Sequence, residues 1–131
     1  MRWITYEYQG SNHTGYLEDD QVQAVGAQDM YAVIAGQGTD PVGEAVPLAD
    51  VKILAPIRPG KIICVGQNYM DHCREQGVEP PASPLHFSKY PTCVIGPGQA
   101  IRWPEGLTEK VDFEVELAAI VGKKARMVPE E

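Results

Sequence analysis

Three acidic residues alternate with apolar residues in the segment Val111-Asp-Phe-Glu-Val-Glu-Leu117. In a β-strand this alternation places Asp112, Glu114 and Glu116 on one face and the apolar side chains on the other. Two carboxylates at positions i and i+2 can both reach one divalent cation, and Mg²⁺ and Mn²⁺ prefer such oxygen ligands. The apolar residues 118–121 that follow predict that the strand continues into a core. The pattern therefore indicates a metal-binding strand.

A solvent-facing strand without a metal is the alternative interpretation of the same pattern. Carboxylates are seldom buried together, and acidic residues at alternate positions commonly line the outer face of a half-exposed sheet. The acidic segment alone leaves both interpretations open, so residues elsewhere in the chain have to decide between them.

A histidine and a glutamate form a second candidate site. His72 and Glu75 lie in a segment where Asn68 is a suitable N-cap and Gly77 a suitable end for a short helix. Residues three apart share a helix face, and a carboxylate beside an imidazole fixes its tautomer and raises its basicity. Such a pair can act as a general base on water. A solvent-exposed pair that adds only about 0.2–0.5 kcal/mol to helix stability is the alternative.

Composition limits the class of protein. The chain has 131 residues, of which 44% are hydrophobic and 22% charged, so a folded globular chain is predicted. The net charge of −7 argues against a nucleic-acid or anionic-membrane partner. No apolar run approaches the length of a transmembrane helix, and the N-terminus lacks the apolar core of a signal peptide. Three cysteines without a CxxC pair predict reduced thiols and a cytoplasmic protein.

The pattern of turns and alternating apolar residues predicts a mixed, β-rich α+β fold. Residues 2–25 have the alternation of a meander of short strands, and Asp29 can cap a short helix over 30–35. Two prolines and a glycine in residues 56–60 predict a boundary between a small domain, 1–56, and a second domain, 57–131. Further strands are predicted at 51–54, 61–65, 85–89, 93–95 and 111–121, with a proline-rich loop at 77–84.

An ordered series of motifs in residues 57–131 resembles the catalytic domain of the fumarylacetoacetate hydrolase family. Residues 1–56 are similar in character to the small N-terminal domain that many bacterial members carry. The motifs that carry the resemblance are Lys61-Ile-Ile-Cys-Val-Gly-Gln-Asn-Tyr-Met-Asp-His72, Phe87-Ser-Lys89, Val94-Ile-Gly-Pro-Gly98, the acidic segment 111–117, and Gly122-Lys-Lys-Ala-Arg126.

The resemblance implies a β-sheet roll and a role for each candidate residue. It implies that Glu114 and Glu116 are two of three carboxylate ligands of a Mg²⁺ or Mn²⁺ ion, and that His72 with Glu75 is an acid–base dyad. Further residues implied to take part, in substrate binding, are Tyr69 and Lys89.

The activity implied by the resemblance is that of a metal-dependent hydrolase or lyase acting on 2-oxo or 1,3-dicarbonyl acids. The metal would act as a Lewis acid on the oxo-acid. His72 would activate water for C–C cleavage, or would move a proton in isomerisation, tautomerisation or decarboxylation. The resemblance also implies a homodimer in the full-length form.

The family pattern includes features that we expect beyond this chain. The third carboxylate ligand lies on a later strand, and members are usually much longer. We therefore expect a truncated sheet roll that is inactive by itself, because two carboxylates bind Mg²⁺ poorly. The alternatives are a non-catalytic remnant that binds a partner through unpaired strand edges and a β-rich binding module with solvated glutamates.

Overall fold

The computed structural model describes residues 1–129, which lie in two compact units. One unit comprises Met1–Pro56 together with the residues from Gly96 onward, and the other comprises Ile57–Ile95. Each unit is built around an antiparallel sheet and carries one short α-helix. The β-rich α+β class predicted from the sequence is confirmed, with a curled N-terminal half-barrel sheet followed by a small second sheet.

The first sheet has five antiparallel strands in the order β4-β3-β2-β1-β5. Two-residue turns join its first three strands, and Gln9, Gly10 and Asp19 in these turns have positive φ, as tight hairpin turns require. The predicted meander is therefore confirmed. The strands are β1 (Arg2–Tyr8), β2 (Ser11–Glu18), β3 (Gln21–Ala24), β4 (Val46–Pro47) and β5 (Lys52–Ile53).

Strand β1 contributes to two hydrophobic clusters because its side chains alternate between the faces of the sheet. Ile4 and Tyr6 pack with Val22 in one cluster. Trp3 packs against the other cluster, and its ring meets that of Tyr16 edge-on with the centroids 5.6 Å apart. Burial raises the pKa of the Tyr6 hydroxyl above its usual value, since the charged form would lose its hydration.

Helix α1 (Met30–Ile34) closes the second of these clusters. The backbone N–H of Ala32 donates a hydrogen bond of 2.9 Å to Oδ1 of Asp29, which confirms the predicted N-cap. Met30 and Val33, three residues apart, are the buried side chains of the helix.

The second unit contains strands β6 (Ile62–Gly66) and β7 (Leu85–Lys89) and the helix α2 (Met70–Gln76). The strands pair antiparallel, with Ile62 opposite Lys89 and Gly66 opposite Leu85. In residues 1–129 no helix has the length and apolar character needed to span a bilayer.

The strand predicted at 93–95 is wrong. A turn of 3-10 helix occupies Pro91–Cys93 instead. The N–H of Cys93 donates to the carbonyl of Tyr90 and the N–H of Val94 to the carbonyl of Pro91, at 2.9 and 3.2 Å. These backbone donors are used locally, within three residues, and so are not available to a neighbouring strand.

The strand predicted at 111–121 is also wrong for the described part of the chain. The segment is assigned to neither a strand nor a helix, and it joins neither sheet. Phe113, Val115 and Leu117 are 82%, 88% and 89% exposed, so the apolar half of the alternation covers no core. Alternation indicates which residues can face a core, but a strand also needs a neighbour that supplies backbone hydrogen bonds and a packing surface.

We predict that Gly15→Ala destabilises the five-stranded sheet by about 1–3 kcal/mol. A Cβ atom at Gly15 would lie 2.3 Å from the backbone oxygen of Gln23, so strands β2 and β3 would have to separate. Urea unfolding followed by tryptophan fluorescence measures the loss, because Trp3 lies in the same sheet. Gly26→Ala is the matched control: its Cβ would meet no atom closer than 3.7 Å. Equal stability of the two variants would contradict the prediction.

Candidate active site

The candidate catalytic helix α2 follows strand β6 after a sharp turn. Gln67, directly after the strand, has a φ of 52°, in the left-handed region that side chains other than glycine seldom adopt. At the other end Gly77 has a φ of 66°, and its N–H donates to the carbonyl of Arg74. The predicted role of Gly77 as the end of the helix is confirmed.

The predicted N-cap at Asn68 is wrong. The N-cap is Tyr69, and its side chain makes no capping hydrogen bond. Since the helix begins at Met70, Asn68 precedes the cap position by one residue. A capping side chain bonds the N–H groups two or three residues after the cap position. Asn68 therefore lies outside the position from which an N-cap acts.

The buried side chain of Cys73 connects helix α2 to the turn that precedes it. Its side chain is 2% exposed, and Sγ lies 3.7 Å from the backbone oxygen of Gln67, to which the thiol can donate. The thiol thus packs inward in the second unit and supports the backbone at the strained residue Gln67. Adjacent residues on a helix point about 100° apart, so Cys73 can pack inward while its neighbour His72 points elsewhere.

His72 is half-buried and has a glutamine as its hydrogen-bond partner. Nε2 of Gln76, one turn along the helix, lies 2.6 Å from Nε2 of the imidazole. Oε1 of Gln76 in turn accepts a hydrogen bond of 3.4 Å from Nε2 of Gln67. His72, Gln76 and Gln67 therefore form a continuous hydrogen-bonded row between the helix and the strained turn.

Glu75, the predicted partner of His72, is exposed. Within residues 1–129, no hydrogen bond or ion pair of the structure joins it to His72. The ion pair of this helix is formed by Asp71 and Arg74, whose side chains are 90% and 70% exposed, so solvent screens it strongly. The acid–base dyad of His72 and Glu75 stays a prediction.

The two residues predicted to bind substrate lie at different ends of the small sheet. Tyr69 precedes helix α2 and is 42% exposed. Lys89 is exposed and pairs with Ile62, the first residue of β6, whereas the helix follows Gly66, the last. At about 3.3 Å per residue, the register separates Lys89 from the helix end of the strand by roughly 13 Å. The end of the sheet from which the turn leads to helix α2 therefore carries Leu85 rather than Lys89.

The predicted metal ligands Glu114 and Glu116 belong to the other compact unit and are exposed. Carboxylate oxygens are the right donor type for Mg²⁺ or Mn²⁺. However, in the part of the chain that the structure describes, no group of three or more His, Cys, Asp or Glu side chains is arranged to hold a metal ion. Asp112, the third acid of the segment, accepts a hydrogen bond of 2.8 Å from the N–H of Phe113. The described residues therefore do not by themselves fit a complete divalent-metal site.

Sequence reasoning missed the two glutamines beside the histidine. Gln76 is four residues after His72, a spacing that brings side chains together on any helix, so this contact had a usable signal. The positive φ of Gln67 had none, because Gly, Asn and Asp are the residues that normally indicate a left-handed conformation.

Family models match nearly the whole chain. The model described as fumarylacetoacetate (FAA) hydrolase, C-terminal, matches residues 61–131, and the model described as Rv2993c-like, N-terminal, matches residues 1–56. The first match covers more than half of the sequence. The chain belongs to the fumarylacetoacetate hydrolase family.

Curated relatives are similar over part of their own length. Protein Rv2993c of Mycobacterium tuberculosis is 48% identical over 87 residues, which are 66% of this chain and 32% of the relative. The mitochondrial oxaloacetate tautomerase fahd2 of Xenopus laevis is 46% identical over 84 residues, which are 63% of this chain and 26% of the relative. The matched region thus spans a third or less of these relatives.

Solved structures of enzymes share the fold. A fumarylacetoacetate hydrolase from Exiguobacterium antarcticum aligns with a TM-score of 0.63 and 31% identity, over 83% of this chain and 42% of that protein. A 5-carboxymethyl-2-hydroxymuconate delta-isomerase from Mycobacterium smegmatis aligns with a TM-score of 0.57 and 28% identity, over 72% and 35%. Relatives in this family therefore include a tautomerase, an isomerase and a hydrolase.

We predict that the three cysteines react with an alkylating reagent in the order of their exposure. Cys93 is exposed, Cys64 half-buried and Cys73 buried, so Cys73 should react more than about tenfold more slowly than Cys93, after local opening of helix α2. Mass spectrometry of alkylated peptides over time measures each rate. In concentrated urea the three rates should converge; equal rates in the native protein would contradict the packing of Cys73.

Proposed function

We propose that this protein acts, as part of a fumarylacetoacetate hydrolase family enzyme, in proton transfer on a 2-oxo or 1,3-dicarbonyl acid. The observation that carries the proposal is the half-buried, hydrogen-bonded His72 on a helix within the region matched by the family model. Imidazole is the side chain whose ordinary pKa suits proton transfer near neutral pH.

Tautomerisation or isomerisation is the reaction class that the relatives favour. Relatives of this chain include a protein named as an oxaloacetate tautomerase and another named as a hydroxymuconate isomerase. In both classes a base removes a proton from a carbon next to a carbonyl group, and the proton returns at another atom of the same conjugated system. Hydrolytic C–C cleavage, which also needs an activated water, is the second candidate because one aligned structure is a fumarylacetoacetate hydrolase.

His72 is proposed as the base that accepts the proton. Glu75, three residues later, is proposed as its acidic partner when substrate is bound, since catalytic hydrogen bonds often form fully only in the substrate complex. The ammonium group of Lys89 is proposed to bind a substrate carboxylate, and Tyr69, at the other end of the small sheet, is proposed to contact another part of the substrate.

Glu114 and Glu116 are proposed to contribute two carboxylates to a Mg²⁺ or Mn²⁺ site. Their donor type and their exposure support binding of a hard cation from solvent. Two carboxylates leave most of the coordination shell to water, so the affinity of this chain for the ion should be low.

We predict that, in the proposed family enzyme of which this chain forms part, His72→Ala lowers the rate of Mg²⁺-dependent oxaloacetate tautomerisation by about 10²- to 10⁴-fold, the usual contribution of a general base. The decay of the enol absorbance measures the rate. His86→Ala is the matched control, since His86 is an exposed histidine of the same unit opposite Val65 in the sheet, and its rate should be unchanged. A His72→Ala protein as active as the unsubstituted one would contradict the proposal.

We predict that Mn²⁺ binds this chain weakly and that Glu114→Gln combined with Glu116→Gln abolishes the binding. Calorimetric titration with Mn²⁺ measures it. Glu105→Gln combined with Glu109→Gln is the control, because it removes the same charge from exposed positions shortly before the acidic segment. Unchanged binding by the first double variant, or no binding by the unsubstituted chain, would contradict the proposed ligand role.

A further inference from the structure

The row of side chains from Gln67 to His72 has a defined hydrogen-bond direction. Nε2 of Gln67 can only donate, so the atom of Gln76 that faces it is the carbonyl oxygen, at 3.4 Å. The amide nitrogen of Gln76 is therefore the atom that faces Nε2 of His72, at 2.6 Å. An amide NH₂ group is also only a donor.

With the Gln76 amide in this orientation, one tautomer of the neutral histidine fits the contact. Because Gln76 presents a donor, Nε2 of His72 must accept through its lone pair, and the proton of the neutral ring must lie on Nδ1. A proton on Nε2 would put two donors 2.6 Å apart. We propose that Gln76 is the positioning residue of His72, and that it holds the neutral imidazole in the Nδ1–H tautomer.

The strained turn contributes to this arrangement. Gln67 adopts a positive φ, a backbone conformation that residues other than glycine seldom adopt. The buried Cys73 donates to the backbone oxygen of the same residue. This packing keeps Gln67 next to the end of helix α2, where its side chain orients the Gln76 amide.

The tautomer gives the two ring nitrogens different roles. The lone pair at Nε2 is the basic site, and the amide of Gln76 covers it until it moves aside for substrate. Nδ1–H is left as the donor for the carboxylate that Glu75 is proposed to supply when substrate is bound. This catalytic meaning rests on the proposed function, whereas the tautomer itself does not.

Nuclear magnetic resonance of ¹⁵N-histidine-labelled protein tests the proposal, because protonated and unprotonated ring nitrogens differ widely in ¹⁵N chemical shift. The signals of His72 are assigned with His72→Ala. At a pH where the ring is neutral, the unsubstituted chain should show the proton on Nδ1. Gln76→Leu should release the ring to the Nε2–H form that free imidazoles prefer, and Gln76→Glu, of equal size, should draw the proton to Nε2.

Two comparisons make the test decisive. Glu75→Gln should leave the tautomer unchanged; a tautomer that moves with Glu75 but not with Gln76 would overturn the proposal, as would an Nε2–H ring in the unsubstituted chain. Amide-proton spectra of each variant check that helix α2 is still folded, and Gln76→Glu keeps the test informative if Gln76→Leu unfolds it. The ¹⁵N chemical shifts report the tautomer without any catalytic turnover. The outcome of this test is therefore independent of the His72→Ala rate measurement.

Discussion

Antiparallel backbone pairing between neighbouring strands is the interaction on which both compact units depend. In the first unit, β1 pairs along its whole length with β2, and this register brings Ile4 and Tyr6 to one face and Trp3 to the other. In the second unit, β6 pairs with β7 up to Gly66, and helix α2 follows after a turn. Backbone groups that leave water have to find partners, so strands form where a neighbour can supply them.

The acidic segment shows the result where no neighbouring strand supplies backbone partners. Residues 111–121 have the alternation of a strand, yet they join neither sheet of the described structure and their apolar side chains face solvent. Glu114 and Glu116 keep the chemistry of metal ligands without an arranged third donor in the described residues. Ligand type is therefore a property of the sequence here, whereas ligand convergence would require neighbours that bring a further carboxylate to the same point.

The position of the candidate catalytic residue His72 depends on local backbone geometry more than on a charged partner. A left-handed turn at Gln67, a buried thiol at Cys73 and a glycine end at Gly77 hold helix α2, and Gln76 rather than an acid contacts His72. A neutral amide partner orients an imidazole without placing a second charge beside it. The chain belongs to the fumarylacetoacetate hydrolase family and enzymes are among its relatives, so this orientation supports the role in proton transfer that we propose for His72.

Much of the local structure was determined by the sequence alone. Alternating apolar residues and tight turns determined the meander, Asp29 determined the start of helix α1, and Gly77 determined the end of helix α2, because each acts on backbone atoms within a few residues. The ordered motifs also pointed to the family. Only the tertiary structure decided that residues 111–121 stay outside the sheets, and that Gln67 bonds Gln76 while Gln76 bonds His72. These outcomes depend on which groups lie next to one another in space, and the periodicity of a sequence does not specify those neighbours.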